Sequence, residues 1–180
     1  VQGRTVQVNV FAYFDASPNL PDQGQIIRLW HDSWKRHGWT PRLLHPRNAQ
    51  RHLWWEKALE ACRGAVPPNL ARWFALDAVE GHSALLVEYD VLNFGLTPRR
   101  MFGPMSFYGP YVMGSSRPGR RLVLRAVTGT AKFPRALLRN KLAVPYLSPG
   151  WDCAPLVHFS RGTVQGPKHR AVLDCGRKLF

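Results

Sequence analysis

The chain is expected to fold as an α/β domain, with a parallel sheet in its first half and a mixed, loop-rich second half. Three observations predict this. Strand-period and helix-period apolar runs alternate between residues 5 and 87. After Asp90, glycine and proline recur every few residues and leave room only for short strands. The 180 residues are 45% hydrophobic and 12% aromatic, enough for a packed core and too apolar for disorder. That length suits one domain over 1–180, divided into halves at 1–96 and 97–180.

Thr5 to Phe14 alternates β-branched and aromatic residues as a buried strand does, and Asp15 to Gly24 is rich in turn formers. Gln25 to His37 places Ile26, Ile27, Trp30 and Trp34 at helical spacing, and Gly38 stands where a helix should stop. Arg42 to His45 is a short second strand. Asn48 is expected to cap a helix running through Leu53, Trp54, Leu59 and Cys62, and Asn69 to cap another through Val79. Ser83 to Val87 reads as an interior strand. The order strand–helix–strand–helix–helix–strand implies parallel crossovers. Beyond Asp90, strands are expected at Met105 to Tyr108, Tyr111 to Met113, Arg121 to Val127, Leu156 to Phe159 and Ala171 to Leu173. Pro134 to Leu142 reads as a short basic helix.

Charge is the loudest compositional feature: 25 Lys and Arg against 11 Asp and Glu, a net of +14. It is concentrated. Residues 1–90 hold 10 basic and 9 acidic side chains, whereas residues 91–151 hold 10 basic and no acidic ones. An anionic partner for the second half is implied, whether acceptor, surface or nucleic acid. No apolar run approaches the roughly 20 residues of a membrane span. Val1 to Val10 lacks the order of a signal peptide. Cys62, Cys153 and Cys175 form no zinc pattern and no disulfide framework, which favours a reducing, cytoplasmic compartment.

Chemistry concentrates where Ser83 to Val87 runs out into Glu88-Tyr89-Asp90. Ligands of open α/β sheets bind beyond the carboxyl ends of the strands. Two acids spaced i, i+2 there can meet one hard cation such as Mg²⁺ or Mn²⁺. Solvated acids at a strand end are the ordinary alternative. No P-loop, dinucleotide fingerprint or nucleophile elbow occurs in the sequence.

The surrounding segments, HDSWKRHGWTPRLL, NLARWFALDAV and ALLVEYDVLNFGL, resemble those of nucleotide-sugar-dependent glycosyltransferases of the GT-A fold over roughly residues 5–96. The resemblance implies a Rossmann-like GT-A sheet and an acid-x-acid metal motif, with Glu88 in place of the usual first Asp and with Asp90 and Val91 matching. It implies that a nucleotide diphosphate sugar is the donor and Mn²⁺ or Mg²⁺ the cofactor. Arg72 would meet phosphate or pair with Glu88 or Asp90. Tyr13, Phe14 and Asp15 would hold base and ribose, although Phe14 serves equally well as core. Late in the chain, Val157 to Gly162 followed by Pro167-Lys168 is similar to the segment in which a His completes the metal site and a Lys meets the diphosphate. Carried over, His158 would be the third ligand, with His169 as substitute, and Lys168 would bind the donor.

Five tryptophans (Trp30, Trp34, Trp54, Trp55 and Trp73) fall on helical stripes and are expected in the core. Trp39 and Trp151 fall in turns, where an indole face can pack on a sugar ring. Asp152 is the general-base candidate on the acceptor side, its ordinary role being a turn former. The function expected is metal-dependent glycosyl transfer. Its rivals are a nucleic-acid-binding module using the basic residues 91–151, and a GT-A-like domain that binds without catalysis.

Overall fold

The computed structural model describes residues 8–15, 23–98, 105–109, 112–129, 146–147 and 156–158. At its centre, strand β1 (Asn9–Tyr13) pairs in parallel with β2 (Thr40–Leu44) and with β3 (Ala84–Val87). Three further short strands are β4 (Val91–Asn93), β5 (Met105–Gly109) and β6 (Val112–Ser115). Strand β6 runs antiparallel to both β3 and β5, which completes a five-stranded mixed sheet in the order β2-β1-β3-β6-β5. The switch from parallel to antiparallel thus falls after Asp90, where the sequence changes texture. A second sheet is made of β4, β7 (Tyr146–Leu147) and β8 (Leu156–His158), with β8 in the middle.

Both faces of the central sheet are covered, which explains why its strands read as nearly continuous apolar runs. Val10, Ala12, Leu85 and Val87 point to the face packed by helix α1 (Gln23–Arg36), where Ile26, Trp30 and Trp34 are buried. Phe11, Ala84 and Leu86 point to the opposite face, against Trp73, Phe74 and Leu76 of the helix Pro68–Val79. Strand period 2 and helix period 3.6 therefore build two apolar layers about one sheet.

The structure corrects three expectations. The helix expected from Asn48 to Cys62 is two helices, α2 (Pro46–Gln50) and α3 (Trp55–Ala61), so that Pro68–Val79 is α4. Neither Asn48 nor Asn69 is a cap: Asn48 lies inside α2, its Oδ1 accepting the His45 N–H at 2.8 Å, and Asn69 lies in the first turn of α4, which Pro67 precedes. The interruption exists because His52 turns inward. Its Nδ1 accepts the Trp54 N–H at 3.1 Å, and its Nε2 lies 3.2 Å from Asp77. Acceptance at Nδ1 places the ring proton on Nε2, so the ring donates to the carboxylate.

Second, Arg121 to Val127 is not a strand but part of helix α5 (Arg117–Val127). Ser116 caps it, its Oγ accepting the Gly119 N–H at 3.3 Å, and Pro118 sits in the first turn where its missing N–H costs nothing. Third, Trp39 is core and has no face for a sugar. It is 3% exposed, meets Trp34 edge-on at 5.4 Å and donates Nε1–H to the Leu96 carbonyl at 2.6 Å. The segments Pro134 to Leu142 and Ala171 to Leu173 lie outside the described residues. Among the described residues, no helix is long and apolar enough to cross a membrane.

Candidate functional site

Because β1, β2 and β3 are parallel, Tyr13, Leu44 and Val87 end at a common edge, with Ala12 paired to Val87 and Tyr13 to Leu44. The chain leaves β3 through Glu88, Tyr89 and Asp90 in a tight turn closed by the Val91 N–H to Glu88 carbonyl bond at 3.0 Å. Helix α1 fixes the segment beyond that turn. The buried Trp34 donates Nε1–H to the Val91 carbonyl at 2.9 Å, and the Ser33 hydroxyl accepts the Asn93 N–H at 3.2 Å. The Asn93 side chain then holds the next turn, its Oδ1 accepting from Gly95 and Leu96 and its amide donating to the Leu96 carbonyl. The acid-bearing turn therefore stands between a buried strand and a segment pinned to the buried face of α1.

Helix α4 brings its amino end over the same edge. Proline suits its first turn, where the backbone N–H has no helical partner. One turn later Arg72 reaches Glu88, Nη1 to Oε1 at 3.4 Å, while its Nε donates to the Asn69 carbonyl at 3.1 Å. Burial pulls the Arg72 guanidinium below its ordinary pKa, and the Glu88 charge opposes that shift. The two side chains, with Tyr13, Asn69 and Tyr89, line a cleft of about 420 Å³. Such a volume accommodates a small ligand.

Tyr13 presents a half-buried phenol to this cleft. Burial raises its pKa, and the charge of Asp15 adds to the effect, so the hydroxyl remains a donor at neutral pH. Asp15 itself is exposed at the edge. Phe14 packs inward, meeting Tyr89 at 5.5 Å and His45 at 6.5 Å, both edge-on. It supports the aromatic wall from behind. Asp90 does not line the cleft. It is only 2% exposed and sits inside the turn, next to the wall that Glu88 forms.

The expected site residues divide accordingly. Tyr13, Arg72 and Glu88 come together in one cleft, with Asp90 beside it. His158 is placed by its backbone: β8 runs antiparallel to β4 and sets His158 opposite Val91, one residue beyond Asp90. Asp152, Lys168, His169 and Trp151 lie outside the described residues. Among the described residues, no group of three or more His, Cys, Asp and Glu side chains could hold a metal ion. The donors at the turn are Glu88 and Asp90. As hard oxygen donors they suit Mg²⁺ or Mn²⁺, which take one or two protein carboxylates and fill the rest of the shell with phosphate and water.

A second cluster, not anticipated from the sequence, occupies the other end of α4. The Asp77 side chain is 1% exposed and faces four cationic or ionisable groups. His52 lies at 3.2 Å, Arg121 at 3.3 Å, Arg120 at 3.6 Å and Arg117 at 3.8 Å. Burial pushes its carboxyl up, but the His52 hydrogen bond, the Arg120 charge and Arg121 outweigh burial and hold the pKa below the ordinary value. Arg120 is fully buried and donates to the carbonyls of Glu80, His82 and Ser115. It spends its charge inside the fold, so the basic second half offers one cation fewer to a partner than its composition suggests. The sequence signal was available: Asp77 follows directly on the apolar run Trp73 to Leu76 of α4, where an unpaired buried carboxylate is costly.

No protein-family model matches the chain, and no curated protein matches it significantly.

Proposed function

We propose that this protein transfers a glycosyl group from a nucleotide diphosphate sugar, with the donor seated in the cleft at the carboxyl edge of β1 and β3. The observation that carries the reading is the meeting of Tyr13, Arg72 and Glu88 in a cleft of about 420 Å³ at that edge, with Asp90 buried beside it. Tyr13 and Tyr89 offer aromatic surface and a hydroxyl donor to a base and ribose. Arg72 offers a fork of N–H donors to a phosphate oxygen. Glu88 and Asp90 would hold a divalent cation, which would supply Lewis-acid stabilisation of charge on the leaving diphosphate. His158, whose backbone pairs with Val91 one residue beyond Asp90, is a further candidate ligand on the resemblance alone. Asp152 remains the candidate base, and Lys168 a candidate diphosphate ligand.

The Arg72–Glu88 pairing supports a second reading. A carboxylate already held by a guanidinium is less available to a metal, as in a domain that binds a nucleotide without turning it over.

A thermal-shift panel of nucleoside diphosphates with and without Mn²⁺ separates the two. Catalytic use predicts stabilisation by one nucleotide only with metal, about 2.7 kcal/mol at a hundredfold excess over Kd. Asp90→Asn and Glu88→Gln should abolish that increment and donor hydrolysis, and a native far-UV circular dichroism spectrum of each variant would show that the fold is retained. Stabilisation that ignores metal favours the binding domain. A flat panel refutes both.

A further inference from the structure

The described residues have two markedly exposed large apolar side chains, Leu53 at 72% and Val79 at 44%. Both line the same depression, of about 280 Å³, and Arg51, Arg117 and Arg121 line it with them. Helix α5 carries the pattern onward. Arg117, Arg121 and Arg125 repeat every four residues and so form one stripe, and all three line an adjoining depression of about 380 Å³ with Pro118 and Leu122. The Arg125 guanidinium lies 5.9 Å over the ring of Trp54, the residue after Leu53. One surface therefore joins four arginines, a protruding leucine and a valine.

The two depressions are lined by four arginines and one carboxylate, so the surface is net positive. Among the described residues, Asp77 is the one carboxylate lining either depression; it is buried, and Arg117 and Arg121 share it with His52 and Arg120. A polyanion bound by charge alone has no use for exposed aliphatic side chains, and single-stranded nucleic acid prefers aromatic stacking platforms. Arginines around aliphatic tips match a different chemistry: phosphate headgroups outside and acyl chains beneath.

We propose that this face docks on an anionic phospholipid bilayer, with Arg51, Arg117, Arg121 and Arg125 at the headgroup phosphates and Leu53 and Val79 entering the acyl boundary. The site lies at the opposite end of α4 from the Glu88 cleft, so a docked molecule keeps that cleft open to solution. Docking here is independent of whether the cleft transfers sugar.

Sedimentation of the full chain with vesicles tests it, using phosphatidylcholine alone or with about a third phosphatidylglycerol near physiological salt. Binding is expected only to the anionic vesicles. Leu53→Ser should weaken the partition coefficient about fivefold, a modest part of a leucine's transfer free energy. Arg51→Gln with Arg125→Gln should weaken it about twenty-five-fold, near fivefold per charge. These substitutions leave the Asp77 cluster intact, and unchanged melting curves would verify that. No binding to anionic vesicles, equal binding to neutral ones, or a Leu53→Ser protein that binds like the parent would each overturn the proposal. Displacement from vesicles by random-sequence DNA, with Leu53→Ser silent, would reassign the surface to nucleic acid.

Discussion

Asp77→Asn is a stringent perturbation of this fold, because it preserves shape while removing one charge. The parent carboxylate, 1% exposed, contacts His52 at 3.2 Å and Arg121 at 3.3 Å, with Arg120 at 3.6 Å. Asparagine with its oxygen at the Oδ2 position keeps the bonds from His52 and Arg121, both of which end on that atom. What disappears is the counter-charge of Arg120, a fully buried guanidinium. Breaking a buried ion pair by removing one partner costs about 3–5 kcal/mol. Arg120 retains the carbonyls of Glu80, His82 and Ser115, whose dipoles soften the loss. The expected cost is therefore at the lower end, about 3 kcal/mol. For a chain of this size that corresponds to a fall in Tm of about 6–12 °C. Urea unfolding followed by far-UV circular dichroism measures it. A double-mutant cycle with Arg120→Met assigns it, and the two costs should be sub-additive by about 1–3 kcal/mol. A single-mutant cost under about 1 kcal/mol, or full additivity, would mean that Asp77 does not hold Arg120 in place.

The same buried contacts set a pH dependence and the cost of a second substitution. The folded-state pKa of Asp77 is depressed, so its stabilisation is complete above the unfolded value of about 4 and is lost as pH falls through the lower folded value. The stability gap between the parent and Asp77→Asn should close as pH falls below about 4; a gap that widens there contradicts the depressed pKa. Trp34→Phe removes the donor that holds the Val91 carbonyl and leaves space beside Trp39, at an expected cost of about 2–4 kcal/mol in urea melts. A cost below about 1 kcal/mol would show that the segment after Asp90 is held by something other than α1.

Much of the scaffold was legible because it rests on periodicity. Strand β1, helix α1, strand β2, helix α4 and strand β3 each carry an uninterrupted pattern of one period, and the structure places each within a few residues of its expected span. Glu88 was singled out by its place at a strand end and Arg72 by the resemblance to GT-A enzymes; that the two meet follows from the fold, because a crossover helix antiparallel to its strand brings its amino end to the strand's carboxyl end. Arg121 to Val127 was misread because RLVLRAV alternates at strand period, whereas the decisive signals, Ser116 and Pro118, stand just ahead of it. Asn48 resembles a cap from sequence alone, and only the inward turn of His52 shows why the helix ends at Gln50.

Patterns local in the chain were enough to dictate the mixed α/β architecture, the change of texture after Asp90 and the concentration of positive charge beyond it. Which of those charges remain available was a matter for the folded molecule. Arg120 is one of ten basic residues between positions 91 and 151, and in composition it counts like the rest. Folding buries it against Asp77, 43 residues earlier, whereas Arg117 and Arg121, which also contact Asp77, stay 44% and 40% exposed beside Leu53 and Val79. Electrostatic compensation depends on distance and burial rather than on sequence separation, so the net of +14 became a located surface only once the chain was folded.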